Sequence, residues 1–75
     1  MKTYLFSLRA ESKDSSDILS KSIEVNTGYL TKDIIKNLFL EYLNIEVYSV
    51  DYIPLISKFF AKSLDYDVYI DYEEL

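Results

Sequence analysis

Seventy-five residues allow one domain with a small core, and 49% hydrophobic content with eight Tyr and four Phe is too apolar for a disordered chain. The absence of Cys excludes disulfides and thiolate metal sites, and the absence of His removes the commonest general base and neutral metal ligand. The net charge of −5 is lopsided: residues 1–40 hold six basic and five acidic side chains, residues 41–75 two basic and eight acidic ones. An anionic half repels nucleic acid and anionic membrane and attracts basic protein surfaces.

In chain order, Thr3 to Ala10 alternates, with Tyr4, Phe6, Leu8 and Ala10 on one face and Thr3, Ser7 and Arg9 on the other; Leu5 is the exception. This pattern predicts a strand. The hydrophilic stretch Ser12–Asp17 reads as a surface connection, and Lys21–Asn26 as a second strand with Ile23 and Val25 inward. The two strands form a hairpin, unless Asp17–Ser20 makes a helical turn. Gly28, the only glycine, closes the second strand with a turn other residues resist.

A helix follows, capped by Thr31 with Asp33 in its first turn. Ile34, Ile35, Leu38, Phe39, Tyr42 and Leu43 form its apolar face, Leu40 is its misfit, and Asn44 its stop. Ile45–Ile53 is rich in β-branched and aromatic residues and reads as a third strand. Pro54 suits the first position of a second helix, whose apolar face is Leu55, Ile56, Phe59, Phe60 and Leu64. The closing segment Asp65–Leu75 alternates as a fourth strand. The order β-β-α-β-α-β over residues 1–75 predicts a single α+β domain: a mixed four-stranded sheet with parallel neighbours and two helices packed on one face.

The closing strand carries the functional signal. Strand alternation puts Asp65, Asp67, Tyr69, Asp71 and Glu73 on one face and Tyr66, Val68, Ile70 and Tyr72 on the other. Read as a calcium loop from Asp65, the row has Tyr69 at the fifth position and Ile70 where glycine is required, so that motif fails. No catalytic motif accompanies it, and the chain reads as a non-enzyme without a cofactor or metal. Evenly spaced carboxylates do resemble the repeated charge of a nucleic-acid backbone, and they pair with Lys and Arg that grip phosphates. Tyr69, with Tyr48 or Tyr52 from a neighbouring strand, supplies aromatic anchors. Glu74 extends the row, and Glu46 or Asp51 can join it. The alternative is a solvated edge charged against aggregation.

In size, lack of Cys and His, acidic Tyr-rich half and absent catalytic motif, the chain resembles the small acidic inhibitors that bacteriophages and mobile elements encode against host defence. Anti-CRISPR and DNA-mimic antirestriction proteins are the familiar members. The resemblance is to a class without a shared motif, so no family residue is carried over. It implies a stoichiometric inhibitor that blocks the basic nucleic-acid-binding surface of a CRISPR effector or restriction nuclease. A second reading is a structural module or homodimer joined through exposed strands, in which Tyr48, Tyr52 and Leu40 matter more than the acids. No apolar run is long enough to span a membrane, and Arg9 and Glu11 end the apolar start too early for a signal peptide. The expected location is the cytoplasm, that of the host cell if the chain is phage-encoded.

Overall fold

The computed structural model describes residues 1–75. Five strands, β1 (Lys2–Ser12), β2 (Ile18–Thr27), β3 (Ser49–Ile53), β4 (Lys58–Lys62) and β5 (Tyr66–Glu74), carry most of the chain. The one helix, α1 (Lys32–Leu38), continues as a π-helical turn over Phe39–Leu43. The strands form two sheets, a three-stranded one in the order β2-β1-β5 and the hairpin β3-β4. Every pairing is antiparallel.

The first hairpin forms as its alternation requires. Phe6 pairs with Ile23, Leu8 with Lys21 and Ala10 with Leu19, and Phe6, Leu8 and Ala10 are almost wholly buried. Residues 18–20 belong to β2 rather than to a helical turn. Being central, β1 also pairs with β5, setting Phe6 beside Tyr72 and Leu8 beside Ile70. Leu5, the exception in the pattern, lies in the opposite phase to Phe6 and so on the outer face of the sheet.

The turn after β2 owes nothing to an unusual glycine conformation, since Gly28 has no positive φ. The Thr27 hydroxyl shapes it instead, accepting from the Tyr29 N–H at 3.3 Å and donating to the Tyr29 carbonyl at 2.9 Å. Thr31 caps α1 through a 3.3 Å bond from the Ile34 N–H, and Asp33 occupies the first turn. Asn44 ends the helical segment in the left-handed region at φ 55, which Asn tolerates better than most residues. The Ile45 N–H then bonds back to the Phe39 carbonyl at 3.1 Å. Ile35, Leu38 and Phe39 pack into the core, Ile34 and Leu43 border it, and Tyr42 stays exposed.

The second half departs from the sequence-based expectation. The third strand contracts to Ser49–Ile53, although Ile45 and Val47 still enter the core. No second helix forms: Pro54–Ile56 is one 3₁₀ turn and Lys58–Lys62 is a strand. The fold is therefore not a mixed four-stranded sheet with two helices, and no two hydrogen-bonded neighbours are parallel, although the chain from β2 to β5 crosses over β1.

The physical reason lies in an ambiguous pattern. Leu55, Ile56, Phe59 and Phe60 have the spacing of a helical face, but Phe59, Ala61 and Ser63 also alternate. Pairing with β3 satisfies the backbone within a few residues, and Pro54 has the φ of a turn as readily as of a helix start. Tyr52 stands opposite Phe59 with ring centroids 4.6 Å apart. Phe59 is buried, whereas Leu55, Ile56, Phe60 and Leu64 are exposed. Ser57 closes the loop at φ 50, its N–H bonding to the Pro54 carbonyl at 3.1 Å.

The core is one cluster between the inner face of the three-stranded sheet, the helix and the hairpin. Phe6, Leu8, Ile35 and Phe39 are its largest fully buried side chains. Each contributes about 1.5–3 kcal/mol relative to exposure. No helix is long and apolar enough to cross a membrane. The outer face of the three-stranded sheet carries no helix and presents the candidate site.

Candidate acidic interface on the outer sheet face

Alternation along β5 holds in three dimensions. Asp67, Tyr69, Asp71 and Glu73 are exposed, while Val68, Ile70 and Tyr72 turn inward. Pairing with β1 places Glu73 beside Leu5, Asp71 beside Ser7, Tyr69 beside Arg9 and Asp67 beside Glu11. On the far side of β1, Glu24 faces Leu5 and Ser22 faces Ser7. Five carboxylates, from Glu11, Glu24, Asp67, Asp71 and Glu73, thus share one face with Tyr69.

The other expected residues differ in placement. Asp65 precedes β5, and its main-chain carbonyl accepts from the Lys13 N–H at 3.0 Å, which continues the β1–β5 register and keeps Asp65 in phase with Asp67 at the end of the row. With Glu46, Tyr48 and Leu64 it lines a cleft of about 330 Å³ at that end of β5. Glu74 has the opposite phase to Glu73 and is tied to Lys2 at 3.1 Å. The hydrogen bond and charge of Glu74 raise the pKa of the Lys2 ammonium. Asp51 is exposed on β3 opposite Phe60, with β4 between it and the row. Neither Glu46 nor Asp51 joins the acid row.

Cations border the row. The Lys58 ammonium lies 3.5 Å from the Asp71 carboxylate, and the Arg9 guanidinium 2.6 Å from Glu11. Both pairs are solvent-accessible, so each holds its partner weakly and can be exchanged for an incoming charge. Lys62 joins Asp67, Tyr69 and Tyr48 around a depression of about 310 Å³. Tyr48 thus stands near Tyr69, as an aromatic companion should. Tyr52 does not: its hydroxyl meets that of Tyr72 at 3.3 Å on the inner side.

Glu11, Glu24 and the flanking cations were missing from the sequence-derived site. The outward phase of the first two strands holds the signal for Glu11 and Glu24, but joining them to Asp71 requires knowing that β5 lies against β1. A shallow trough of about 570 Å³ crosses this face, floored by Ser7, Ser20 and Ser22 and flanked by Arg9, Tyr69 and Asp71. It is open to water, and no three carboxylates converge closely enough to share a cation. The arrangement is suited to contact with another macromolecule over a flat area.

The inner side is held differently. Tyr72 packs on Phe6 at 5.6 Å and on Phe59 at 5.7 Å between ring centroids. Burial, and next the hydrogen bond with Tyr52, push its phenol up to about 12. These contacts join the hairpin to β5, between which no ladder forms. No family model, curated protein or solved structure matches this chain.

Proposed function

We propose that this chain is a protein-binding inhibitor that sets its acidic outer face against the basic, nucleic-acid-binding surface of a nuclease or defence effector. The observation that carries the reading is the exposed, in-phase row Asp67, Tyr69, Asp71 and Glu73, backed across the sheet by Glu24. Alternate strand residues lie about 6.6–6.8 Å apart, roughly two phosphate steps of a nucleic-acid strand at 3.4 Å each. Such a row meets Lys and Arg spaced for phosphates with charge-assisted hydrogen bonds. Tyr69, 52% exposed at the middle of the row, supplies the anchor.

The exposed ion pairs fit this role. Lys58 and Arg9 occupy carboxylates loosely in the free chain and leave them available to a partner's guanidinium groups. Binding of this kind weakens as salt rises and competes with DNA or RNA.

The test is stoichiometric inhibition of DNA cleavage by purified CRISPR effectors and restriction nucleases, with the wild-type chain and the triple variant Asp67→Lys, Asp71→Lys, Glu73→Lys. Inhibition by the wild type, relieved by excess DNA and abolished in the variant, supports the reading. Equal inhibition by both proteins removes the acid row from the interface.

A further inference from the structure

β2 is an unpaired edge, and its hydrogen-bonding phase follows from two main-chain bonds. The Ser12 N–H donates to the Asp17 carbonyl and the Leu75 N–H to the Thr3 carbonyl, each at 2.9 Å. In an antiparallel ladder, facing residues alternate between exchanging both bonds and exchanging none. Continued along the register from Ser12 and Asp17, even-numbered residues of β1 bond to odd-numbered residues of β2. From Thr3 and Leu75, odd-numbered residues of β1 bond to β5, which agrees. The N–H and C=O groups of Ile18, Ser20, Ser22, Glu24 and Asn26 therefore point away from β1 into solvent.

We propose that β2 pairs with β2 of a second copy, antiparallel about a two-fold axis through Ser22, joining two three-stranded sheets into one of six strands. This register engages all five free-edge residues of each copy. On the outer face it sets Ser22 against the partner subunit's Ser22, Ser20 against the partner subunit's Glu24, and Ile18 against the partner subunit's Asn26. On the inner face Lys21 meets the partner subunit's Ile23, and half-buried Leu19 meets the partner subunit's Val25. No like charges stand opposite one another.

Neighbouring registers are poorer. An axis through Lys21 opposes that lysine to itself, and one through Glu24 does the same with the glutamate, which destabilises a cross-strand pair. An axis through Ile23 leaves the main chain of Ile18 unpaired. Lys21, at an inward-phase position yet exposed, is the kind of charge that keeps an edge from pairing indiscriminately. Here it selects the register. The pairing rests on the main chain of β2 and not on the β5 acids, and shares only Glu24 with the acidic-face reading.

Sedimentation equilibrium tests it, with circular dichroism and urea unfolding to verify each fold. The wild type is expected to form dimers and no larger species. Ser22→Pro removes an N–H that the single chain does not use, so it yields a folded monomer. Ser22→Lys opposes two like charges and weakens association about tenfold or more, deciding the matter if the proline variant misfolds. Ser20→Lys, set against the partner subunit's Glu24, tightens it roughly threefold. A wild type that stays monomeric at all concentrations overturns the proposal, as does a dimer indifferent to the Ser22 substitutions.

Discussion

Tyr52 and Tyr72 meet hydroxyl to hydroxyl at 3.3 Å and so tie the β3-β4 hairpin to the closing strand. The contact matters because no main-chain ladder joins β4 to β5. The two sheets are held together by side chains, chiefly Phe59 against Tyr72 on the inner side, while the exposed Lys58–Asp71 pair spans them only weakly on the outer.

Tyr72→Phe keeps the ring packing and removes the hydroxyl, so it is expected to lower stability by about 0.5–1.5 kcal/mol in urea unfolding. Its pH signature is more specific. The folded phenol, near 12, lies above its ordinary value of 10.0, so the folded state holds the proton more tightly. That contribution is fully present below pH 10 and is lost as pH rises toward 12. Urea midpoints measured between pH 9 and pH 12 should fall less steeply in Tyr72→Phe than in the wild type.

Phe59 and Phe60 are adjacent, and a helix would have placed both inside. In the hairpin Phe59 is 3% exposed and Phe60 46%. Phe59→Ala is expected to cost about 3–5 kcal/mol and Phe60→Ala within about 0.5 kcal/mol of nothing. Comparable losses at both positions, in denaturant titrations, would speak for a helix.

Asn44 and Gly28 should respond in opposite senses to alanine. Asn44 sits at φ 55, where a Cβ without a polar side chain is disfavoured, so Asn44→Ala costs about 1 kcal/mol and Asn44→Gly little or nothing. Gly28 has no positive φ, and a Cβ there meets no atom within 4 Å. Gly28→Ala is expected to stabilise by about 0.4–1 kcal/mol by restricting the unfolded chain. Thermal unfolding of the three variants checks both statements.

The acid row should prove nearly irrelevant to folding. The Asp71 side chain is 76% exposed and its partner Lys58 48%, so Asp71→Asn is expected to change stability by less than about 0.5 kcal/mol. A larger loss in urea titration would make the pair a structural element and weaken its assignment to a partner.

Local rules suffice where one residue's environment is set by its immediate neighbours along the chain. The alternation in β1, β2 and β5, the Thr31 cap and the Asn44 stop are of this kind. So is the shared face of Asp67, Tyr69, Asp71 and Glu73, because a period of two is a property of the strand itself. Residues 54–64 exceed what local rules decide: their apolar spacing fits helix and strand alike, and the choice fell to Tyr52 and Tyr72, which give Phe59 a place to bury.

Position in the sheet is likewise a long-range matter. Alternation along residues 65–75 is enough to give β5 a face of carboxylates. That this face adjoins β1, bringing Glu11 beside Asp67 and Glu24 across Leu5 from Glu73 and leaving Glu46, Asp51 and Glu74 outside, depends on contacts between distant parts of the chain. Strand neighbours are chosen by burial of their common inner face, Phe6 with Ile23 and Tyr72, and that packing is settled by residues far apart in the chain.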